Sequence, residues 1–311
     1  MTPIFGRVAV LGLGLLGGSV AFAARSRGVA EVVAGAARRA EVLEEATSRG
    51  IVDEGGDFES VVRGAELVVL ATPIAAMGEL VRRIAPCLAK GAVVTDVGSV
   101  KVVLAETLPG LLPRGVTYVG AHPMAGSHRN GLDNARADLF QGAPCVVMQT
   151  GSLAARDRVC SFWSALGARV VLRDPAQHDA EVAWMSHVPH VLAFAFGGAL
   201  RSAPEGAFDV QGSGFRDFTR IAQSDPELWS EILTGNRKAV AAPLHAMQEA
   251  LGELARAIES NDVDAVERWL VAARAALSRG GVRGTQPAAN PTKTPATPSG
   301  AERARRSNEN P

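Results

Sequence analysis

Short apolar runs alternate with helical patterns along the first half of the chain. A continuous apolar stretch, typical of a parallel strand that helices cover on both faces, occurs at residues 67–71, and strands are also predicted at 8–11 and 93–96. Further strands are predicted at 32–34, 51–52, 116–120, 145–148 and 169–172. Between the strands, the spacing of apolar positions predicts helices over 18–26, 40–49, 58–63, 76–85 and 102–108. This alternation predicts an α/β fold with a Rossmann-type, doubly wound parallel sheet.

The pattern changes near residues 173–175. Long helical segments rich in Ala and Leu follow from 177 to about 279, and the segment 280–311 has almost no large apolar residues. Such a composition cannot offset the entropy of ordering. We therefore expect a dinucleotide-binding domain over 1–174, an all-helical substrate and dimerisation domain over 175–279, and a disordered tail. Apolar residues within 182–200 and 228–254 exceed what one small bundle can bury, which predicts a homodimer through the helical domain.

Composition narrows the class of partner. The 311 residues carry 32 acidic and 32 basic side chains. This balance argues against nucleic acid or a membrane surface as a partner, and we expect a small-molecule ligand. Cys87, Cys145 and Cys160 have no spacing typical of disulfides or zinc, which fits a reducing cytoplasm. The apolar segment over 8–24 contains loop-forming glycines, and we interpret it as a buried strand and helix, not as a secretory signal or a membrane span.

A glycine loop follows the first predicted strand. Its residues are Gly12-Leu13-Gly14-Leu15-Leu16-Gly17, and a helix is predicted directly after them. In this context Gly12 permits a tight turn, Gly14 lets the backbone approach a pyrophosphate, and Gly17 allows close packing of helix on strand. The helix N-terminus favours the anion. We predict a dinucleotide site formed by the six loop residues, together with Thr72 and Pro73 after the strand over 67–71.

The end of the second strand bears on the choice of cofactor. NAD-selective sites place an acid here for the ribose 2′-hydroxyl, whereas NADP sites offer an arginine to the 2′-phosphate. This chain has Gly35-Ala36-Ala37-Arg38-Arg39. We predict a preference for NADP, with Arg38 stacking on the cofactor or pairing with it and Arg39 assisting. The alternative is that both arginines belong to a solvated helix face and that NAD also serves.

Several further motifs occur in one order: residues 95–101 (TDVGSVK), 120–127 (GAHPMAGS), 138–140 (DLF), 178–179 (HD), 186–190 (SHVPH) and 218–222 (FTRIA). Over residues 7–277 this series resembles the prephenate/arogenate dehydrogenase family of tyrosine biosynthesis. The resemblance implies oxidative decarboxylation of a cyclohexadienol. Hydride leaves C4 for the nicotinamide, carbon dioxide is lost, and prephenate gives 4-hydroxyphenylpyruvate or arogenate gives tyrosine.

His122 is the candidate base, set in a glycine-rich loop past the strand over 116–120. As hydride leaves, the 4-hydroxyl becomes acidic, and a neutral imidazole suits the proton. The resemblance implies that His122 binds this hydroxyl and that Ser99 lies between it and the nicotinamide.

Recognition of the substrate carboxylates requires a cation of fixed geometry. Arg220 matches the family's substrate-binding arginine, and Arg216, one turn earlier, adds charge on the same face or is a surface residue. The resemblance places His190 in the substrate pocket. Ser127 ends the histidine loop, and His128 follows where the family often has an acid. An imidazole there favours the keto acid prephenate over arogenate, although His128 is equally explained as an exposed loop residue.

His178, His187 and His190 invite a metal-site interpretation, but no carboxylate or thiolate completes a ligand set and Pro189 interrupts the helix, so no metal is expected. Two alternatives to the main hypothesis remain. A β-hydroxyacid dehydrogenase shares the domain order, but its Gly-x-x-x-Lys-x-x-x-Asn signature is missing from the second half. A catalytically idle NADP-sensing module retains the glycine loop alone.

Overall fold

Six parallel strands form the central sheet of the computed structural model, which describes residues 2–126 and 130–279. The strands are β1 (Phe5–Leu11), β2 (Ala30–Ala36), β3 (Glu54–Gly55), β4 (Leu67–Leu70), β5 (Val93–Asp96) and β6 (Thr117–Tyr118). Their order across the sheet is β3-β2-β1-β4-β5-β6. The predicted Rossmann-type sheet is confirmed, and its direction of winding reverses between β1 and β4.

Helices connect these strands and bury both faces of the sheet. They are α1 (Leu15–Ser26), α2 (Ala40–Ser48), α3 (Phe58–Val61), α4 (Ile74–Ile84) and α5 (Val102–Thr107). Successive side chains of β1 enter two separate cores, since Val8 and Val10 pack on one face and Ala9 and Leu11 on the other. Burial on both faces explains the continuous apolar run.

A second sheet corrects the sequence prediction. Its strands are β7 (Ala121–Pro123), β8 (Pro144–Met148) and β9 (Arg169–Arg173), with α6 (Leu153–Ala165) between the last two. β7 pairs antiparallel with β8, and β8 pairs parallel with β9. The expectation that 145–148 and 169–172 extend the main sheet was therefore wrong. β6 contributes only two residue pairs at the edge of that sheet, and apolar periodicity does not encode which strand a segment joins.

Three local predictions also need correction. Residues 51–52 are buried core residues but not a strand, and β3 begins at Glu54. Helix α1 begins at Leu15, three residues earlier than predicted, because Gly14 is its N-cap. Helix α6 was not predicted. Its buried residues Val159, Phe162 and Trp163 pack into the core on one face of the main sheet.

Residues 175–279 are mostly helical. Its helices are α7 (Pro175–Val182), α8 (Val188–Ala199), α9 (Ser213–Thr219), α10 (Pro226–Gly235), α11 (Arg237–Glu259) and α12 (Val263–Arg279). The chain divides into two compact units after Met247. The domain boundary at Asp174 stays a prediction; this residue caps α7, its carboxylate accepting from Gln177 N at 2.8 Å.

The predicted tail over 280–311 lies outside the described residues. Across 2–126 and 130–279, the structure contains no helix with the length and apolar character of a membrane span.

Candidate active site

The glycine loop after β1 is as tight as the motif requires. Gly12 has a φ of +102°, and a Cβ there would lie 2.6 Å from the Ala71 carbonyl oxygen. A Cβ at Gly17 would lie 1.8 Å from the Gly12 carbonyl oxygen. A Cβ at Gly14, in contrast, would meet no atom within 4 Å. Gly12 and Gly17 are therefore required by the fold, whereas the space in front of Gly14 is open.

Polar groups that lack a described partner lie at this end of β1 and β4. Gly14 is the N-cap of α1 and offers no side chain to the first-turn N–H groups, and no acidic residue lies in that turn. Pro73 is exposed, and the hydroxyl oxygen of Thr72, next to it, is buried with no partner among the described residues. These donors lie where the sheet reverses its winding, the usual position of a ligand on this fold.

Arg38 and Arg39 follow β2 directly, at the same carboxyl edge of the sheet. Both side chains are exposed. Arg39 is the N-cap residue of α2, and neither arginine forms an ion pair with a described residue.

A buried ion pair occupies the end of β5. Lys101 and Asp96 are both fully buried, and the Lys101 ammonium contacts Asp96 Oδ2. The Lys101 Nζ also donates to the Ala121 carbonyl oxygen at 2.9 Å. Asp96 further accepts from Gly98 N at 2.8 Å, Tyr118 OH at 2.8 Å and Ala121 N at 3.2 Å. This network fixes β7 against the end of β5.

Burial and the Asp96 carboxylate raise the pKa of Tyr118 well above its usual value, so its hydroxyl stays a proton donor to Asp96. Ser99 lies in the loop between β5 and α5, which is held at Gly98 and at Lys101 on either side of it.

His122 lies within strand β7, so its placement in a loop was wrong. It is partly buried. Its Nδ1 lies 2.8 Å from Nε2 of His178, and Nδ1 of His178 lies 2.7 Å from Oδ1 of Asp179. Burial, and then the neighbouring His178, Lys101 and His187, lower the pKa of His122 well below its usual value. The ring is therefore neutral at cellular pH.

Sheet geometry relates His122 to the glycine loop. Ala121 is bonded to Asp96, the last residue of β5, and Gly12 follows the last residue of β1. The two strands are separated only by β4, and neighbouring strands lie ~4.8 Å apart, so these strand ends are roughly 10 Å apart. Both groups are at the carboxyl edge.

His190 belongs to a cluster in the helical segment. Its ring stacks on Trp229, with centroids 3.7 Å apart, and its Nδ1 donates to the Ser186 carbonyl oxygen at 2.9 Å. Burial lowers its pKa, and the charge of Arg220 acts in the same direction. Arg220 is exposed at the end of α9. Arg216, also exposed, donates to the Gln211 carbonyl oxygen at 3.3 Å.

A π-helical turn over Ala183–His187 joins α7 to α8, and Pro189 lies in the first turn of α8. The sequence suggested that Pro189 interrupts a helix at His190. In the structure Pro189 lies in the first turn of α8, and the helix continues through His190. π-turns are frequent at functional sites. Ser127 and His128 lie outside the described residues.

No group of three metal-binding side chains comes together within 2–126 and 130–279. The three histidines of this segment have other partners. His178 bonds His122 and Asp179, His187 Nδ1 lies 3.1 Å from Asn236 Nδ2, and His190 bonds Ser186.

Sequence reasoning missed five residues of this site. Four of them occur within the quoted motifs but were assigned no role, namely Asp96, Lys101, His178 and Asp179, and the fifth, Trp229, was not considered. The available signal was a buried charge, since Lys101 follows an apolar strand by only five residues and needs a nearby carboxylate. For Trp229 no such signal exists, because its partner His190 is 39 positions away in the chain.

Comparison with known proteins identifies two family models along the chain. The nucleotide-binding domain of prephenate dehydrogenase matches residues 20–172, and its dimerization domain matches 174–272. The cyclohexadienyl dehydrogenase of Zymomonas mobilis is 33% identical over 268 residues, which are 84% of this chain and 91% of that protein.

Two solved structures are similar over almost their whole length. Prephenate dehydrogenase from A. aeolicus, in complex with hydroxyphenyl propionate and NAD+, is 28% identical with a TM-score of 0.81, covering 91% of this chain and 99% of that one. Synechocystis arogenate dehydrogenase is 32% identical with a TM-score of 0.76, covering 88% and 99%. The family expectation is confirmed, and the chain belongs to the prephenate dehydrogenase family.

Proposed function

We propose that this chain oxidatively decarboxylates prephenate, arogenate or both in tyrosine biosynthesis, with hydride transfer to NAD(P)+. The observation that carries the proposal is the neutral imidazole of His122, fixed at the carboxyl edge of the sheet that also bears the glycine loop. A hydride acceptor and a proton acceptor at one edge suit the oxidation of a carbinol. The names of the relatives specify a cyclohexadienol substrate.

The residues around the glycine loop suit a dinucleotide. The open face of Gly14 admits a pyrophosphate, the N–H groups at the start of α1 and the unpartnered hydroxyl of Thr72 are donors for it, and Pro73 borders the same space. Leu13, Leu15 and Leu16 complete the loop. When bound, the nicotinamide supplies the acceptor for the C4 hydride.

His122 is the general base in this scheme. Its Nε2 makes no hydrogen bond to a described residue, and it accepts the proton of the 4-hydroxyl as hydride leaves. A pKa well below its usual value keeps the ring neutral before substrate binds, so that one ring nitrogen can accept the proton. The substrate carries at least two carboxylates, and their charge raises the pKa of His122 when bound, which brings it nearer the operating pH. Ser99 orients the hydroxyl between the base and the nicotinamide.

Arg220 binds a substrate carboxylate, with Arg216 adding positive charge and His190 bordering the same pocket. The supporting observation is that the positive charge of Arg220 contributes to lowering the pKa of His190, which means that the two side chains are near each other. Stacking on Trp229 and the bond to Ser186 hold His190 in one orientation, and its Nε2, which bonds no described residue, is the atom that contacts substrate. Ser127 and His128 lie outside the described residues, and their part in substrate binding stays a proposal from the sequence, in which an imidazole at position 128 favours the keto acid prephenate.

The decisive experiment measures reduced nicotinamide in four reactions, each of the two substrates with each of the two cofactors, for the wild type and His122→Asn. We expect turnover with prephenate, and a loss of about 100-fold or more in kcat with little change in cofactor affinity for the variant. Full activity of the variant would remove His122 as the base. Turnover of 3-hydroxyisobutyrate but of neither cyclohexadienol would overturn the proposal, and binding of NADP without any turnover would favour a sensing module.

We further propose that NADP is the preferred cofactor, because two exposed arginines without described ion-pair partners follow β2. Arg38→Glu should raise KM for NADP by about 10-fold or more, the worth of one charged hydrogen bond, and leave KM for NAD within about two-fold. Arg63→Glu changes another exposed arginine and serves as the control. A wild-type KM lower for NAD than for NADP would contradict the preference.

A homodimer through the helical segment is the proposed assembly. Large apolar side chains are exposed there, among them Met185 at 76% and Phe208 at 54%, and the matched family model is a dimerization domain. Light scattering at micromolar concentration should give a dimer mass, and Met185→Glu should shift it toward the monomer. Leu153→Glu, at an exposed position outside this segment, should not. A monomeric wild type would refute the assembly.

A further inference from the structure

His178 and Asp179 form a buried pair behind the candidate base. Both residues lie on α7 and are almost fully buried, at 1% and 2% exposure. The His122, His178 and Asp179 side chains form a continuous hydrogen-bonded line, with contacts of 2.8 Å and 2.7 Å. The proposed function uses only the first of the three, so the other two lack an assigned role.

The Asp179 carboxylate has a fixed orientation. Its Oδ1 accepts from Lys101 N at 2.8 Å and its Oδ2 from Val102 N at 2.9 Å. Its backbone carbonyl accepts from Asn236 Nδ2 at 2.8 Å. Three elements therefore hold this residue: the start of α5, α7 itself, and the junction of α10 and α11. A carboxylate held in this way only accepts hydrogen bonds.

This orientation determines where the protons lie. Since Asp179 accepts, Nδ1 of His178 must carry a proton, and the Nε2 of a neutral His178 is then an acceptor. His122 must in turn donate from Nδ1, which leaves its Nε2 with a free lone pair. We propose that His178 and Asp179 are positioning residues that hold His122 in the Nδ1-protonated tautomer, so that Nε2 is the base for the substrate hydroxyl.

The pair also gives the proton a second position during the reaction, a step that rests on the proposed function. The O–H bond breaks and its proton goes to His122 Nε2, while the C4–H electron pair leaves as hydride for NAD(P)+ and the oxygen forms a carbonyl. The Nδ1 proton of His122 is then shared with His178 Nε2, beside the Asp179 carboxylate. When the bond between the ring and its carboxylate breaks, carbon dioxide leaves and the bonding electron pair makes the ring aromatic and the oxygen a phenolate. The protons then return along the same line to give the phenol.

The first test requires no turnover. The chain has six histidines, and nitrogen-15 labelling of their rings distinguishes a protonated from an unprotonated nitrogen, with single variants assigning each signal. In the ligand-free wild type at neutral pH we expect His122 to carry its proton on Nδ1. In His178→Leu this preference should be lost, while His245→Leu, which changes an exposed histidine, should leave the His122 signals in place. A wild-type His122 protonated on Nε2 would overturn the inference.

Kinetics provide the second test. His178→Leu should lower kcat by roughly 100-fold with KM and cofactor affinity within about three-fold, and His178→Gln, whose amide oxygen accepts from His122, should recover part of that loss. A normal kcat in His178→Leu would refute the inference while leaving the proposed function intact. If the wild type turns over neither substrate, the proposed function fails, and the tautomer measurement still decides the role of the pair. If His178→Leu does not fold, the kinetics of His178→Gln and the nitrogen-15 spectrum of the wild type provide the test.

Discussion

Removing Lys101 tests whether the ion pair at the end of β5 supports the site. In Lys101→Met the Asp96 carboxylate stays buried without its counter-ion, and the Ala121 carbonyl oxygen loses its donor. Breaking a buried pair from one side costs about 3–5 kcal/mol. We expect the lower end, about 3 kcal/mol, because Asp96 retains hydrogen bonds from Gly98, Tyr118 and Ala121.

The loss should be smaller when both charges are removed. The double variant Asp96→Asn with Lys101→Met leaves neither charge of this pair, so its destabilisation should fall short of the sum of the single variants by about 2 kcal/mol. In thermal unfolding, about 3 kcal/mol corresponds to a decrease in Tm of roughly 6–12 °C for a unit of this size. Lys238→Met, at an exposed lysine, serves as the control and should leave Tm nearly unchanged.

Calorimetry at neutral pH, with urea unfolding as a second measure, supplies the free energies for the wild type, the two single variants, the double variant and the control. A decrease in Tm below about 2 °C for Lys101→Met would show that the buried pair contributes little and that hydrogen bonds alone hold Asp96. Additive single variants would show that the two side chains do not interact energetically. Either result would refute the reasoning.

The remaining predictions concern the glycine loop, a buried histidine and substrate charge. Gly14→Ala should fold with an unchanged Tm and raise KM for the cofactor, whereas Gly17→Ala should unfold at a lower temperature because its Cβ overlaps backbone; equal Tm values would contradict this. Burial lowers the pKa of His187 to about 4, so the unfolded chain binds more protons below about pH 6.5, and the free energy of unfolding should decrease by up to about 3 kcal/mol toward pH 4. In His187→Gln the free energy of unfolding should change less steeply with pH, and curves parallel to those of the wild type would refute this role of His187. Arg220→Leu should raise KM for prephenate at least 10-fold and leave cofactor affinity unchanged, with unaltered KM excluding the carboxylate role.

The sequence predicts the main sheet well because its strands are buried on both faces. β4 is a short, wholly apolar run between helical patterns, which is typical of a strand buried on both faces. The glycine loop is equally readable, since Gly12 needs a positive φ and Gly17 has no room for a side chain. These constraints involve neighbours in sequence or a fixed motif spacing, and both are visible without coordinates.

The second sheet was not predictable in this way. β7 has only three residues and pairs antiparallel with β8, which begins more than 20 positions later. The apolar pattern of β8 and β9 fits either sheet. What decides between them is the early end of β6 after Tyr118 and the turn that places Ala121 against Asp96. These are tertiary contacts, and strand periodicity carries no information about them.

The same limit applies to the chemistry of His122. Its identity as a candidate base came from its surroundings in sequence, but its protonation depends on a residue 56 positions away. Within the sequence, His178 and Asp179 are adjacent polar residues on a helix, and nothing local distinguishes a relay from a solvated surface. The structure makes the difference through burial: a histidine and a carboxylate at 1% and 2% exposure must satisfy each polar atom inside the protein. The backbone N–H groups of Lys101 and Val102 hold the Asp179 carboxylate as the acceptor at one end of the hydrogen-bonded line. Because each donor is then determined in turn, the free lone pair at the other end is on Nε2 of His122.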